Sequence, residues 1–175
     1  WVEDNSVFWL SVSDKLFSSL LATLLDNKEL NINIDMSLSK LERCIDEVGI
    51  CFMFAPNHHP AMKYVGSVRK LIGIRTIFNM LGPLMNPANV KNQLVGVYSV
   101  DVFNLYKDVF KNDPKKNVCL ISGYDGNDEI SLDGSNLIFI KDCDTFEFDP
   151  ITLDIPRSNI KELSGGDSKF NSERI

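Results

Sequence analysis

Two histidines stand side by side as His58 and His59, where the apolar run Phe52-Met53-Phe54 gives way to Ala55-Pro56-Asn57. The Pro-Asn break and the following Pro60 read as a strand, a turn, and a helix that begins at the proline. Side chains at such a corner point toward the mouth of a sheet, where α/β proteins bind ligands. Adjacent histidines also divide into one structural hydrogen-bond donor and one solvent-facing ring, and that reading stands beside the functional one. No H-x-x-x-H spacing or neighbouring cysteine supports zinc. The chemistry that suits the pair is a neutral imidazole placed beside a small aromatic or acidic substrate. Arg69 follows His59 by nearly three helical turns, which puts the two on roughly the same side of a helix. A guanidinium there is either a bidentate receptor for a carboxylate or a solvated surface cation.

The second constellation is acidic. Asp125-Gly126-Asn127-Asp128-Glu129 follows the apolar stretch 118–122, at what should be the carboxyl end of a strand. Adjacent carboxylates at such a place suit Mg²⁺, which takes one or two of them and completes its shell with water and substrate phosphates. The same letters make an ordinary acidic turn, since D-G and N-D are frequent turn formers. Spacing leaves both readings open.

The elements that must position these groups alternate between helix and strand. Residues 12–27 carry Leu16, Phe17, Leu20, Leu21, Leu24 and Leu25 at helical spacing. Residues 37–48 read as a second helix, with Ser39 and Glu42 as a capping box and Gly49 as a left-handed stop. Residues 50–54 read as a buried strand, and 60–72 as a helix ended by Gly73. Between 74 and 88 two prolines and a glycine predict a structured loop, apolar enough to need cover from another lobe or partner. Strand 93–98, helix 100–110 and strand 118–122 then form a β-α-β unit, which predicts a parallel sheet with a right-handed crossover. Strands 136–141 and 145–148 around Asp142-Cys143-Asp144 predict a hairpin at an edge. Gly165-Gly166-Asp167 reads as a turn into the N-cap of a helix that the sequence barely begins.

Composition narrows the class. The chain has 175 residues, 44% of them hydrophobic, and a net charge of −6. That is enough to bury a core, and the scattered cations argue against a nucleic-acid partner. The longest early apolar run, 16–25, is shorter than a membrane span and is interrupted by Ser18, Ser19 and Thr23. Cys44, Cys51, Cys119 and Cys143 lack C-x-x-C spacing and read as reduced core residues in a cytoplasmic compartment. The first residue is Trp1 rather than Met, which reads as a fragment or a processed chain.

Longer motifs then come into view. Phe54-Ala55-Pro56-Asn57-His58-His59-Pro60-Ala61-Met62-Lys63, Val68-Arg69-Lys70, Gly73-Ile74-Arg75-Thr76-Ile77-Phe78-Asn79 and Leu81-Gly82-Pro83-Leu84 occur in one stretch. Asn86-Pro87-Ala88, Gln93-Leu94-Val95-Gly96-Val97-Tyr98 and Asp125-Gly126-Asn127-Asp128-Glu129-Ile130-Ser131-Leu132 follow. Together they closely resemble the anthranilate phosphoribosyltransferases of tryptophan biosynthesis, from about Leu38 to the end. The resemblance implies an α/β fold of the nucleoside phosphorylase/phosphoribosyltransferase type, a parallel-rich sheet flanked by helices. It implies a partial, diverged helical lobe or linker over 1–48 and the α/β domain over 49–175, truncated at its end. It also implies transfer of phosphoribosyl from 5-phosphoribosyl 1-pyrophosphate (PRPP) to anthranilate, the chemistry of a pentosyltransferase.

By position, the resemblance makes His59, Met62, Tyr64 and Arg69 line the anthranilate channel, with Arg69 on the carboxylate. Asp128 and Glu129 then hold Mg²⁺ against the pyrophosphate. The family is homodimeric, and neither membrane nor nucleic acid is an expected partner. One side of the pattern is missing, however. The family's upstream glycine-rich phosphate loop is absent, and Val7-Phe8-Trp9-Leu10-Ser11-Val12-Ser13 stands where a basic segment belongs. A fragment or inactive form is therefore expected, without turnover by this stretch alone. The alternatives are a diverged, non-catalytic relative that binds a small aromatic acid or nucleic acid, and a pyrimidine nucleoside phosphorylase.

Overall fold

A computed structural model of the chain describes residues 8–11, 35–49, 51–53, 71, 77–85, 90–159 and 170. The chain divides into two compact units, Trp1–Asp4 with Leu30–Asn89 and Asn5–Glu29 with Val90–Ile175.

The second unit holds the sheet. Its described strands are β1 (Phe8–Ser11), β2 (Asn92–Gly96), β3 (Asn117–Ser122), β4 (Asn136–Ile140) and β5 (Phe146–Phe148), in that spatial order. β1 pairs with β2 and β2 with β3 in parallel, whereas β4 and β5 join antiparallel. The α/β sheet is thus parallel on one side and ends in the hairpin read from the sequence. Phe8–Ser11 lies within the stretch expected to be helical lobe or linker, yet it forms a strand in register with β2.

The parallel pair β2–β3 is joined by the helix Val100–Lys111, which packs on β3. Val102, Phe103, Tyr106 and Phe110 recur at helical spacing and are buried, while Asp101, Asn104 and Asp108 face out. The Ser99 hydroxyl accepts from the Val102 N–H at 3.3 Å, and Asp101 and Lys111 stand at the ends that the helix dipole favours. Val95, Leu120 and Phe139 are fully buried apolar side chains of the sheet. Lys116 and Lys141 donate from their ammonium groups to backbone carbonyls, Lys116 to Val90 O at 2.6 Å and Lys141 to Lys116 O at 2.7 Å. They tie the β2–β3 and β3–β4 ends together at the edge opposite the carboxyl ends of β2 and β3.

Tyr106 is 2% exposed, and burial, with Tyr98 adding to it, pushes its phenol up to about 12. Its folded-state value is raised, so the stability it contributes is present below the ordinary tyrosine value of about 10 and fades as pH rises toward 12. A series of urea melts should therefore show a decline across that window that is weaker in Tyr106→Phe. An identical decline in both proteins would contradict this.

In the first unit, the described helix Leu38–Val48 ends at Gly49, whose φ of 85° is the expected left-handed cap. The capping box is not formed. The N-cap is Ser37, without a side-chain cap bond, and its hydroxyl meets that of Ser39 at 3.1 Å. Of the predicted apolar face, Leu41 is buried and Ile45 half-buried, but Leu38 is exposed. Cys51–Met53, the described part of the predicted strand 50–54, is half-buried and outside any strand. An apolar run of this length does not by periodicity alone specify a strand.

The predicted loop 74–88 contains a helix, Ile77–Leu84, with Pro83 inside it. The proline falls in the final turn, where Met85 N closes the helix on Leu81 O at 3.0 Å, so the run is held to two turns rather than abolished. Ile77 and Met85 stay on the surface, 59% and 50% exposed.

The four cysteines are free, as expected, but the expectation that they are core residues fails: three are half-buried and Cys143 is exposed. Burial raises the thiols of Cys51 and Cys119, with Cys44 adding to the effect on Cys51. No helix among the described residues is long and apolar enough to cross a membrane. The predicted helices 12–27 and 60–72 lie outside the described residues, save for Leu71, which is helical. The Gly165-Gly166 turn lies outside them too.

Candidate functional site

Because β2 and β3 run parallel, their carboxyl ends reach the same edge of the sheet, with Gly96 opposite Ile121. Beyond Ser122 the chain makes a short 3-10 turn, Tyr124–Gly126, and then presents Asp128 and Glu129, both half-buried. The turn is closed by its own backbone and by the side-chain amide of Asn127. Gly123 N donates to Asn127 O at 2.7 Å, Gly126 N to Gly123 O at 3.2 Å, and the Asn127 amide to Tyr124 O at 3.2 Å. Gly126 has a φ of 76°, which a side chain would resist.

Two further glycines bring this turn onto the strand ends. A side-chain carbon at Gly96 would lie 1.7 Å from Asp128 O, and one at Gly123 would lie 2.2 Å from Glu129 O. Gly123 has an ordinary extended backbone, φ −73° and ψ 161°, so its requirement is for space. A third contact closes the turn's start, where a carbon at Gly134 would stand 2.3 Å from the Tyr124 ring.

Behind the turn, Asn136 is wholly buried and fixes the strand that follows. Its side-chain oxygen accepts from Ser131 N at 2.6 Å. Its amide donates to Ser131 O at 3.0 Å and to Gly134 O and Phe148 O at 3.1 Å. The acidic turn is thus bounded by two strand ends on one side and a buried, hydrogen-bonded amide on the other.

The position of Asp128 and Glu129 agrees with the sequence expectation of adjacent acids at a strand's carboxyl end. Their donor set fits Mg²⁺, which is commonly held by one or two carboxylates and otherwise by water and phosphate oxygens. Among the described residues no group of three His, Cys, Asp or Glu side chains could hold a metal without such help. His59, Met62, Tyr64 and Arg69 lie outside the described residues. The residues that sequence reasoning left without a role are Gly96, Gly123 and Asn136. A lone glycine at the end of an apolar strand signals close backbone approach, and Gly96 carried that signal.

The family described as "Glycosyl transferase family, a/b domain" matches residues 23–175. The anthranilate phosphoribosyltransferase of Rhodopseudomonas palustris (strain BisA53) is 46% identical over 149 residues, 83% of this chain and 44% of that protein. The solved anthranilate phosphoribosyltransferase of Thermus thermophilus superposes with a TM-score of 0.72 at 29% identity, covering 87% of this chain and 45% of that one. The Saccharomyces cerevisiae enzyme in complex with PRPP and Mg superposes at 0.75 and 25% identity, over 89% and 43%. The chain spans less than half the length of the relatives it matches.

Proposed function

The chain belongs to the glycosyl transferase family through its a/b domain, and from that membership we propose that it supplies the central α/β part of an anthranilate phosphoribosyltransferase. In this reading the amine lone pair of anthranilate attacks the ribosyl carbon of PRPP. The carbon–oxygen bond to pyrophosphate breaks, its electron pair leaves with pyrophosphate, and the nitrogen gives up a proton to solvent. The aromatic amine is already a free base near neutral pH, so orientation matters more than a strong general base. Arg69 pairs with the anthranilate carboxylate in a bidentate contact, while His59, Met62 and Tyr64 form the wall beside it. Asp128 and Glu129 hold Mg²⁺, which when bound neutralises charge on the departing pyrophosphate. A cytoplasmic homodimer completes the proposal.

The observation that carries the reading is the identity of 46% with the R. palustris enzyme over 149 residues, 83% of this chain. A chimera tests it. Residues 38–159 would replace the matching segment of the R. palustris enzyme, and anthranilate consumption would be followed by its fluorescence. Consumption that needs both PRPP and Mg²⁺ is expected. A chimera that melts cooperatively yet consumes no anthranilate would overturn the proposal.

A further inference from the structure

The acidic turn meets the sheet through its backbone, at two places where a side chain is missing. Asp128 O occupies the volume a carbon at Gly96 would fill, and Glu129 O does the same at Gly123. We infer that Gly96 and Gly123 are positioning residues that set where the Asp128 and Glu129 carboxylates stand, by letting the backbone of the turn rest directly on the ends of β2 and β3. The inference rests on the metal-holding role proposed above for those carboxylates, and it adds the part of the chain that aims them.

The physics is steric and local. Contacts of 1.7 Å and 2.2 Å are far inside van der Waals distance, and the atoms met are backbone oxygens of residues 128 and 129 rather than the tips of flexible side chains. An added methyl must therefore move either the strand end or the turn. β2 is paired on both sides, with β1 and with β3, and Val95 beside Gly96 is wholly buried. The turn has the smaller hold, because its closing bonds are mostly internal to residues 123–127. Displacement of the turn carries both carboxylates with it. A shift of about 1 Å is enough to spoil a site that shares its ion with substrate oxygens.

Two measurements on the full chain test this in Gly96→Ala and Gly123→Ala, with Gly82→Ala, where nothing stands within 4 Å, as control. The first is amide hydrogen exchange, which needs no ligand. Faster exchange confined to residues 123–130 is expected in both variants and not in the control. The second is paramagnetic broadening of amide signals by added Mn²⁺, with Asp128→Asn/Glu129→Gln as the metal-free reference. The parent should show broadening centred on residues 128 and 129, and the glycine variants should need at least tenfold more Mn²⁺ for the same effect. Should Gly96→Ala fail to fold, Gly123→Ala carries the test alone, since its added carbon would meet Glu129 O at 2.2 Å from an ordinary extended backbone. Parental exchange and parental broadening in the variants would overturn the positioning role while leaving the metal reading in place. Absence of broadening in the parent would instead count against the metal reading, and the exchange result would still decide the positioning role.

Discussion

Asn136→Ala is expected to destabilise the sheet-bearing unit by about 2–4 kcal/mol, the range for breaking a buried hydrogen-bond network. The residue is 0% exposed; its side-chain oxygen accepts one hydrogen bond, and its two amide N–H groups are shared among three carbonyl oxygens. Alanine would leave the Ser131 N–H and the Ser131, Gly134 and Phe148 carbonyls to compete for whatever water enters the space. Each buried group left unsatisfied costs about 1–3 kcal/mol. Relaxation of the loop recovers part of that, hence the lower total. Asn136→Asp should be worse than alanine, because a carboxylate cannot donate and would face three carbonyl oxygens. Thermal melts should show a fall of about 10–20 °C for Asn136→Ala and a larger one for Asn136→Asp. Equal melting of Asn136→Ala and the parent would show that the network is redundant.

The second large effect is chemical. In the chimera, Asp128→Asn/Glu129→Gln should lower kcat/KM by about a hundredfold or more, the scale on which removing charge stabilisation from a developing anion acts. The substitutions keep the size of the side chains and remove only their negative charge. The contacts at Gly96 and Gly123 are kept, because those two run through the backbone of residues 128 and 129. Hydrogen exchange in residues 123–130 should therefore stay parental while turnover falls, and raising Mg²⁺ should restore part of the activity. This would separate the metal-binding role proposed for the carboxylates from the positioning role inferred for the glycines. Parental kcat/KM in the double variant would remove Asp128 and Glu129 from the site.

Much of this arrangement was legible in the residues. The β-α-β unit around Val102, Phe103, Tyr106 and Phe110 follows from helical spacing between two apolar runs, and Gly49 marks the end of the helix Leu38–Val48 unaided. The acidic turn falls where a strand's carboxyl end places it. What sequence could not supply was long-range pairing. Phe8–Ser11 becomes a strand because β2 offers it a parallel edge, whereas Cys51–Met53, also largely apolar, stays outside any strand. The helix Ile77–Leu84 escapes a reading in which proline excludes helix, because in a last turn proline only limits length. Ser39 and Glu42 satisfy a capping pattern, but the helix is capped two residues earlier, at Ser37, without the side-chain bond. Asn136 reads from the sequence only as the first residue of a strand; its contacts with Ser131 and Gly134 are local, and the one with Phe148 O on β5 is long-range.

The aromatic-acid side of the account stands on Arg69 and is the most direct place to test it. Calorimetric titration of this chain with anthranilate should show weak binding, about 10⁻⁴–10⁻³ M, as befits one carboxylate contact and a small ring. Benzoate should compete, aniline should not, and Arg69→Ala should weaken binding by at least about tenfold, the cost of a charge-assisted pair. Aniline binding as well as anthranilate, or Arg69→Ala binding as well as the parent, would contradict the proposed carboxylate receptor.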